Sequence, residues 1–262
     1  MEEAAQVRMD GKTAVVTGAA RGIGRAVAER LAAEGAYTLC ADVDPDELER
    51  VSGAIQAAGG RAEAHRCDVS DPEDVESLMA AAEARGGPHA LVSNAAIQYE
   101  RTIEDTPPED WDRVLGVNLK GVYLCARAAI PRMRGLGGGS IVNMASVNGF
   151  WVEPQLGAYS AAKGGVINLT RAIALDFGRD GIRCNCICPG YVDTGMARRY
   201  FEVQSDPDAA RAEAGRLHAL GRIGRPDEIA AMALFLCSDE SSFCSAQPFI
   251  VDGGLSAGVP AI

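Results

Sequence analysis

A chain of 262 residues, 47% hydrophobic and 23% charged, has the composition of an ordinary soluble globular protein, which excludes a disordered or fibrous one and allows one large α/β domain or two small ones. Its formal net charge of -11 repels nucleic-acid phosphates and anionic lipid, and no run of Lys and Arg reverses this locally, so neither is expected as a partner. The acidic start from Met1 to Gln6 lacks the basic and then apolar stretch of a signal peptide, and no apolar run is long enough to span a bilayer. A cytoplasmic protein is therefore expected.

In chain order, residues 12–17 form a short apolar, β-branched run that predicts a strand. A Gly-rich turn then leads into a helical pattern over 24–34 that ends at Gly35. The pattern recurs as strand 37–41, helix 45–58, strand 62–67, helix 72–84 and strand 90–93. A long helix is predicted over 108–134, then strand 140–144, helix 159–177, strand 182–187, helix 226–236 and strand 248–251. Strands that alternate with helices require right-handed crossovers and a parallel sheet covered on both faces. The expected fold class is α/β, a doubly wound parallel sheet of the Rossmann kind, in a single domain over residues 6–262. The interval 191–225 shows no clear strand and holds Met196, Tyr200 and Phe201 in a polar setting; so long an excursion suggests a substrate lid.

Cys40, Cys67, Cys125, Cys237 and Cys244 are scattered through apolar, element-like segments and read as reduced, buried thiols. Cys184, Cys186 and Cys188 would share one face of a strand, but no fourth cysteine or histidine lies nearby in sequence. No metal is expected.

Gly18, Gly22 and Gly24 follow the first strand at the mouth of the first helix, with Ala19, Ala20, Arg21 and Ile23 between them. Glycines there permit a tight turn, close backbone approach to a pyrophosphate and close helix–strand packing, with the helix N-terminus facing the phosphate charge. A Gly-rich turn alone is as often structural. Context comes from Asp42, which ends the second strand 18 residues beyond Gly24, near the ~20 expected of an acid that grips the adenosine ribose. Its other reading is an N-cap for the next helix, a role for which Asp44 is better placed.

The spacing Gly18-x-x-x-Gly22-x-Gly24, together with Tyr159-Ser160-Ala161-Ala162-Lys163, resembles the short-chain dehydrogenase/reductase family over nearly the whole chain. Asp68-Val69 resembles the family's adenine-binding pair, Ser93-Asn94-Ala95-Ala96 its Asn-Asn-Ala-Gly segment, and Asn118 its catalytic asparagine. Ser146, 13 residues before Tyr159, matches the catalytic serine. Pro189-Gly190-Tyr191-Val192-Asp193-Thr194 looks like the loop that holds the nicotinamide carboxamide. Ser93 and Ala96 depart from the pattern and leave the backbone path beside the nicotinamide ribose less certain. The resemblance implies a dinucleotide site that includes Gly18, Arg21, Gly22, Ile23, Gly24, Asp42, Asp68, Val69, Asn94, Ala95, Tyr159, Lys163, Pro189, Gly190, Val192 and Thr194, with NAD as the cofactor. It also implies a homotetramer built through the two long helices.

Tyr159 and Lys163 stand at i and i+4, on one face of a helix. A phenol of pKa about 10 is a poor base at neutral pH, and lowering it by about three units takes roughly 4 kcal/mol of phenolate stabilisation, a task for the Lys163 ammonium and a bound cationic ring. In oxidation, Tyr159 would remove the hydroxyl proton of a secondary alcohol as hydride departs, while Ser146 bonds the substrate oxygen. The family implies that Lys163 also binds the nicotinamide ribose and that Asn118 anchors a water chain.

The resemblance implies that residues 96–98, 147–155 and the segment after Gly190 line the substrate pocket. They offer Gln98, Asn148, Glu153, Gln155 and Arg198 as polar groups and Phe150 and Trp151 as apolar surfaces, in keeping with a small sugar, polyol or hydroxy compound. The alternatives are a 3-oxoacyl thioester reductase using NADPH, favoured by Arg21 and opposed by Asp42, and a non-catalytic dinucleotide sensor or scaffold. The latter has no need of Ser146, Tyr159 and Lys163 together.

Overall fold

Alternation along the first strand decides which way each side chain faces. In β1 (Thr13–Thr17), Ala14 and Val16 enter one buried cluster and Val15 the other, as a period of two requires when both faces of a sheet are covered. The computed structural model describes residues 7–258. The extremes of the expected domain, residue 6 and residues 259–262, and the acidic start lie outside the described residues.

β2 (Tyr37–Asp42), β3 (Arg61–Arg66), β4 (Ala90–Ser93), β5 (Gly139–Met144), β6 (Ile182–Pro189) and β7 (Pro248–Val251) join β1 in one sheet ordered β3-β2-β1-β4-β5-β6-β7. Every pairing is parallel. On one face, Val27 and Leu31 of α1 (Gly22–Ala33), Leu48 and Val51 of α2 (Pro45–Ala57) and Ile229 and Leu234 of a later helix over Pro226–Cys237 share a core. On the other, Leu78 and Met79 of α3 (Pro72–Ala84) pack with Leu124 and Met133, which lie further along the chain. Both α2 and α3 start on an aspartate N-cap followed by proline, with Asp44 accepting from the Glu47 amide and Asp71 from the Glu73 amide. Asp44 thus holds the cap, and Asp42 is left for other work.

The helix expected over 108–134 is interrupted. It runs as α4 (Pro108–Leu115), a π-turn over Gly116–Lys120, and α5 (Gly121–Gly135). A π-turn inserts one residue into the helical ladder and rotates the next helical segment about the axis, and Asn118 sits inside this one, fully buried. α6 (Gly157–Phe177) begins two residues before the expected start at Tyr159. The interval 191–225 is not a structureless loop, since α7 (Gly195–Glu202) and α8 (Pro207–Leu217) occupy much of it before α9 (Pro226–Cys237). Its polar composition hid them. Among its described residues, α7 buries only Phe201, and α8 only Ala214 and Gly215.

Strand order reverses direction beside β1, whose neighbours β2 and β4 lead to opposite halves of the sheet. In open α/β sheets this switch point leaves a crevice at the carboxyl ends of the strands. All eight cysteines are unpaired, seven of them buried, and no three His, Cys, Asp or Glu side chains converge on a metal geometry among the described residues. No described helix is long and apolar enough to cross a membrane.

Candidate active site

A cleft of about 280 Å³ opens at that switch point. Its first wall is the glycine turn. Gly18 and Gly22 have φ of +66° and +56°, a backbone region that disfavours other L-residues. Gly24 answers a different need. A Cβ there would lie 2.1 Å from the Gly18 carbonyl oxygen and 2.4 Å from Asn94 Nδ2, so glycine lets α1 start against the turn. The cradle fits a dinucleotide pyrophosphate, with the N-terminus of α1 beside it.

Asp42 closes this end. Its Oδ2 accepts from the Ala20 amide at 3.2 Å and its Oδ1 from the Val43 amide at 2.8 Å, which fixes the carboxylate at the cleft wall. Arg21 also lines the cleft, but its guanidinium is ion-paired to Asp44. The cation that would meet a 2′-phosphate therefore already has a carboxylate partner.

Asn94 and Ala95 follow β4, and both backbone amides donate to Thr17 Oγ1, at 3.0 and 3.2 Å. Asn94 Nδ2 donates to the Thr17 and Gly18 carbonyls at 3.0 and 3.2 Å. The backbone path left in doubt by Ser93 and Ala96 is thus fixed by Thr17, a residue that sequence reasoning missed. A polar residue closing a buried β-branched run was the available signal. Asp68 and Val69 do not line the cleft. The Ser70 hydroxyl and amide bonded to Asp68, against a burial that works the other way, hold its carboxyl below the usual range, and Val69 packs on Gly121.

The catalytic end is built by α6 and by the segment after β5. Tyr159 and Lys163 line the cleft from successive turns of α6, as their spacing requires. Lys163 is only 2% exposed, and its Nζ donates to the Met144 carbonyl at 2.6 Å and lies 5.4 Å from the centre of the Tyr159 ring. Its hydrogen bond goes to that carbonyl and not to the phenol. Burial pulls its amine down to about 8. Burial likewise pushes the Tyr159 phenol up to about 12, opposed by the Ser146 hydroxyl and reinforced by the Glu153 carboxylate. Ser146 lines the cleft too, and its Oγ accepts from the Asn148 amide at 3.1 Å.

Both side-chain groups of Asn118 are engaged by one residue. Its Oδ1 accepts from the Ile97 amide at 2.9 Å and its Nδ2 donates to the Ile97 carbonyl at 2.8 Å, which ties the π-turn to the loop after β4. The side chain does not line the cleft. Pro189, Gly190, Val192 and Thr194 do, and Thr194 Oγ1 caps α7 by accepting from the Ala197 amide at 3.3 Å. A Cβ on Gly190 would come within 2.9 Å of His218 Nε2.

Of the polar groups expected at the substrate end, Gln98, Asn148 and Glu153 line the cleft, whereas Gln155 and Arg198 do not. Arg198 is drawn away by Asp193, to which it donates at 3.0 Å. Phe150 and Trp151 are also outside the lining, and Phe150 is 48% exposed. The apolar surfaces come instead from Leu156, Met196, Tyr191 and Tyr200. Tyr191 stacks on Phe201 with ring centroids 5.8 Å apart, and its hydroxyl donates to Glu153 Oε1.

A phosphate cradle at the switch point, continuous with a buried lysine, a tyrosine and a serine, defines an oxidoreductase that works with a nicotinamide dinucleotide. Residues 18–256 match the family model described as enoyl-(acyl carrier protein) reductase. The chain is 40% identical to meso-2,3-butanediol dehydrogenase of Serratia marcescens, over 96% of this chain and 97% of that one. It is 35% identical to cyclohexanol dehydrogenase of an Acinetobacter strain, over 98% and 100%. A crystal structure of a short-chain type dehydrogenase/reductase from Mycobacterium marinum superimposes with a TM-score of 0.90 at 33% identity, over 97% and 98% of the two chains. The chain belongs to the short-chain dehydrogenase/reductase family, and it interconverts alcohol and carbonyl at CH–OH groups.

Proposed function

We propose that the chain is a cytoplasmic, NAD-dependent dehydrogenase of a small polyol, sugar or related hydroxy compound, assembled as a homotetramer, with residues 191–225 as its lid. A nicotinamide dinucleotide held by the glycine turn and Asp42 would supply the hydride acceptor or donor. In oxidation, Tyr159 takes the hydroxyl proton of the substrate, and Ser146 donates to the substrate oxygen as it becomes a carbonyl. Lys163 supplies positive charge to the phenolate and a donor to the nicotinamide ribose. Asn118 holds the loop after β4 in place and marks where protons leave for solvent. Asp42 binds the adenosine ribose hydroxyls.

The observation that carries this reading is Lys163, a lysine 2% exposed with no carboxylate partner among the described residues. Burying an unpaired ammonium is costly, and such groups are kept where their charge is used. Tyr159→Phe tests it. Turnover should fall by roughly 10²- to 10⁴-fold, the usual contribution of a general acid or base, while fluorescence titration still detects NADH binding. Loss of binding together with turnover would assign Tyr159 a structural role instead. For the substrate, nicotinamide absorbance across sugars, polyols, simple alcohols and steroids decides. Higher catalytic efficiency for hydrophobic secondary alcohols or steroids than for every sugar and polyol would overturn the polar reading.

A further inference from the structure

Glu153 is a carboxylate in the wall of the cleft, and no positive charge is paired with it among the described residues. Neutral donors hold it on both sides. Tyr191 donates to Oε1, Asn148 Nδ2 donates to Oε2 at 2.9 Å, and the Glu153 amide returns a bond to Asn148 Oδ1 at 3.1 Å. The Asn148 amide is in turn bonded to Ser146 Oγ. The carboxylate is thus pre-set on the same segment as the serine, with its orientation locked from the loop and from the foot of the 191–225 excursion.

A carboxylate offers about four lone-pair sites, and two are engaged by these side chains. Glu153 lines the cleft, so a substrate that displaces water from the remaining sites must replace the donors that water supplied or leave the charge unsatisfied. We infer that Glu153 is a specificity-determining residue, the acceptor for a second hydrogen-bond donor on the substrate, a hydroxyl or an ammonium besides the reacting hydroxyl. The inference rests on the polar-substrate reading above and narrows it. An anionic group at that position meets a like charge and is disfavoured; a hydrocarbon leaves the carboxylate unpaired.

The test uses carbon-matched pairs with the full-length enzyme and saturating NAD: 2,3-butanediol against 2-butanol, and 1-amino-2-propanol against 2-propanol. The readout is the ratio of kcat/KM within each pair. In Glu153→Leu the ratio should fall about 10- to 100-fold, the worth of a hydrogen bond to a charged group, with the diol loss appearing chiefly in KM. Glu153→Gln, of nearly the same shape, keeps a carbonyl acceptor and should retain most of the diol ratio while losing more of the amine ratio. It also serves if the leucine variant fails to fold. A fall confined to the diol pair assigns the donor as hydroxyl, and one confined to the amine pair as ammonium. Ratios unchanged in both variants overturn the inference. So does equal loss for both members of each pair, which is the mark of a merely structural residue. Failure of the polar-substrate reading shows separately, in the unmodified enzyme, as a preference for the simple alcohols and steroids.

Discussion

Lys163 shows what a single buried residue costs and gives. Unfolded, its amine holds a proton up to 10.5, whereas burial lowers that to about 8 in the fold. Between those values the unfolded chain binds the extra proton, so stability rises with pH across that window, and the penalty is at its fullest below pH 8. The drop corresponds to on the order of 3 kcal/mol, partly offset by the bond to the Met144 carbonyl. Lys163→Met should therefore be inactive yet more stable than the parent at pH 7, with the gain shrinking toward pH 10.5. Denaturant melts at several pH values check this, and a variant less stable at every pH would refute it. Asp42 carries a second residue-scale prediction. A carboxylate about 4 Å from a 2′-phosphate costs up to roughly 4 kcal/mol at an effective dielectric near 20, so two to three powers of ten in favour of NAD follow. Asp42→Ala should erase most of that preference, because the carboxylate that repels a 2′-phosphate is then gone. Equal efficiency with NADP in the parent would sink the assignment.

Among the elements, α1 depends most visibly on one atom that is missing. Gly24→Ala would drive a methyl into the backbone carbonyl of Gly18, so the turn or the helix must shift. Overpacking of this kind costs about 1–3 kcal/mol of stability, and the displaced cradle should weaken NADH binding. Fluorescence titration and thermal melts read the two effects, and an unchanged affinity would show that the cradle has slack. The strands and the long helices were legible because burial on two faces or one imposes a period of two or of 3.6 on the chain. The π-turn was not, since shifting the ladder by one residue leaves the apolar pattern almost intact. α7 and α8 escaped because they bury so little. At the site, the glycines and Asp42 were readable from position along the chain, whereas Tyr159, Lys163 and Ser146 came from the resemblance to the family. Thr17, Tyr191 and the commitment of Asn118 to Ile97 depend on contacts between distant segments, which spacing does not record. Arg198 and Gln155 lie in segments that the family places at the pocket, but an ion pair draws Arg198 to Asp193 and Gln155 sits in a turn with positive φ outside the cleft lining.

Across the whole molecule, the proposed homotetramer has a surface consequence. Leu175 on α6 is 80% exposed and Tyr123 on α5 is 47% exposed, on the two long helices through which assembly is proposed. Burying a leucine is worth about 1.5–3 kcal/mol, and a lysine in its place resists burial. Leu175→Lys should lower the mass measured by sedimentation velocity, and an unaltered tetramer would move the interface elsewhere. The parallel sheet has a further effect on where the chain tolerates change. Every strand points the same way, so one rim of the sheet collects the segments that carry chemistry: the turn at 18–22, Asp42, Asn94, Ser146 and Gly190. The opposite rim carries returns to the next strand, such as those at Gly35, Gly59 and Gly181, with positive φ. Around Gly59 the space is open, with nothing within 4 Å of a Cβ placed there. The two rims can therefore change independently. A short foreign peptide spliced after Gly59 should leave turnover intact, since exposed turns accept insertions, while the same peptide after Gly190 should abolish it. In such a molecule, new substrate ranges arise by rewriting one rim while the other keeps the fold.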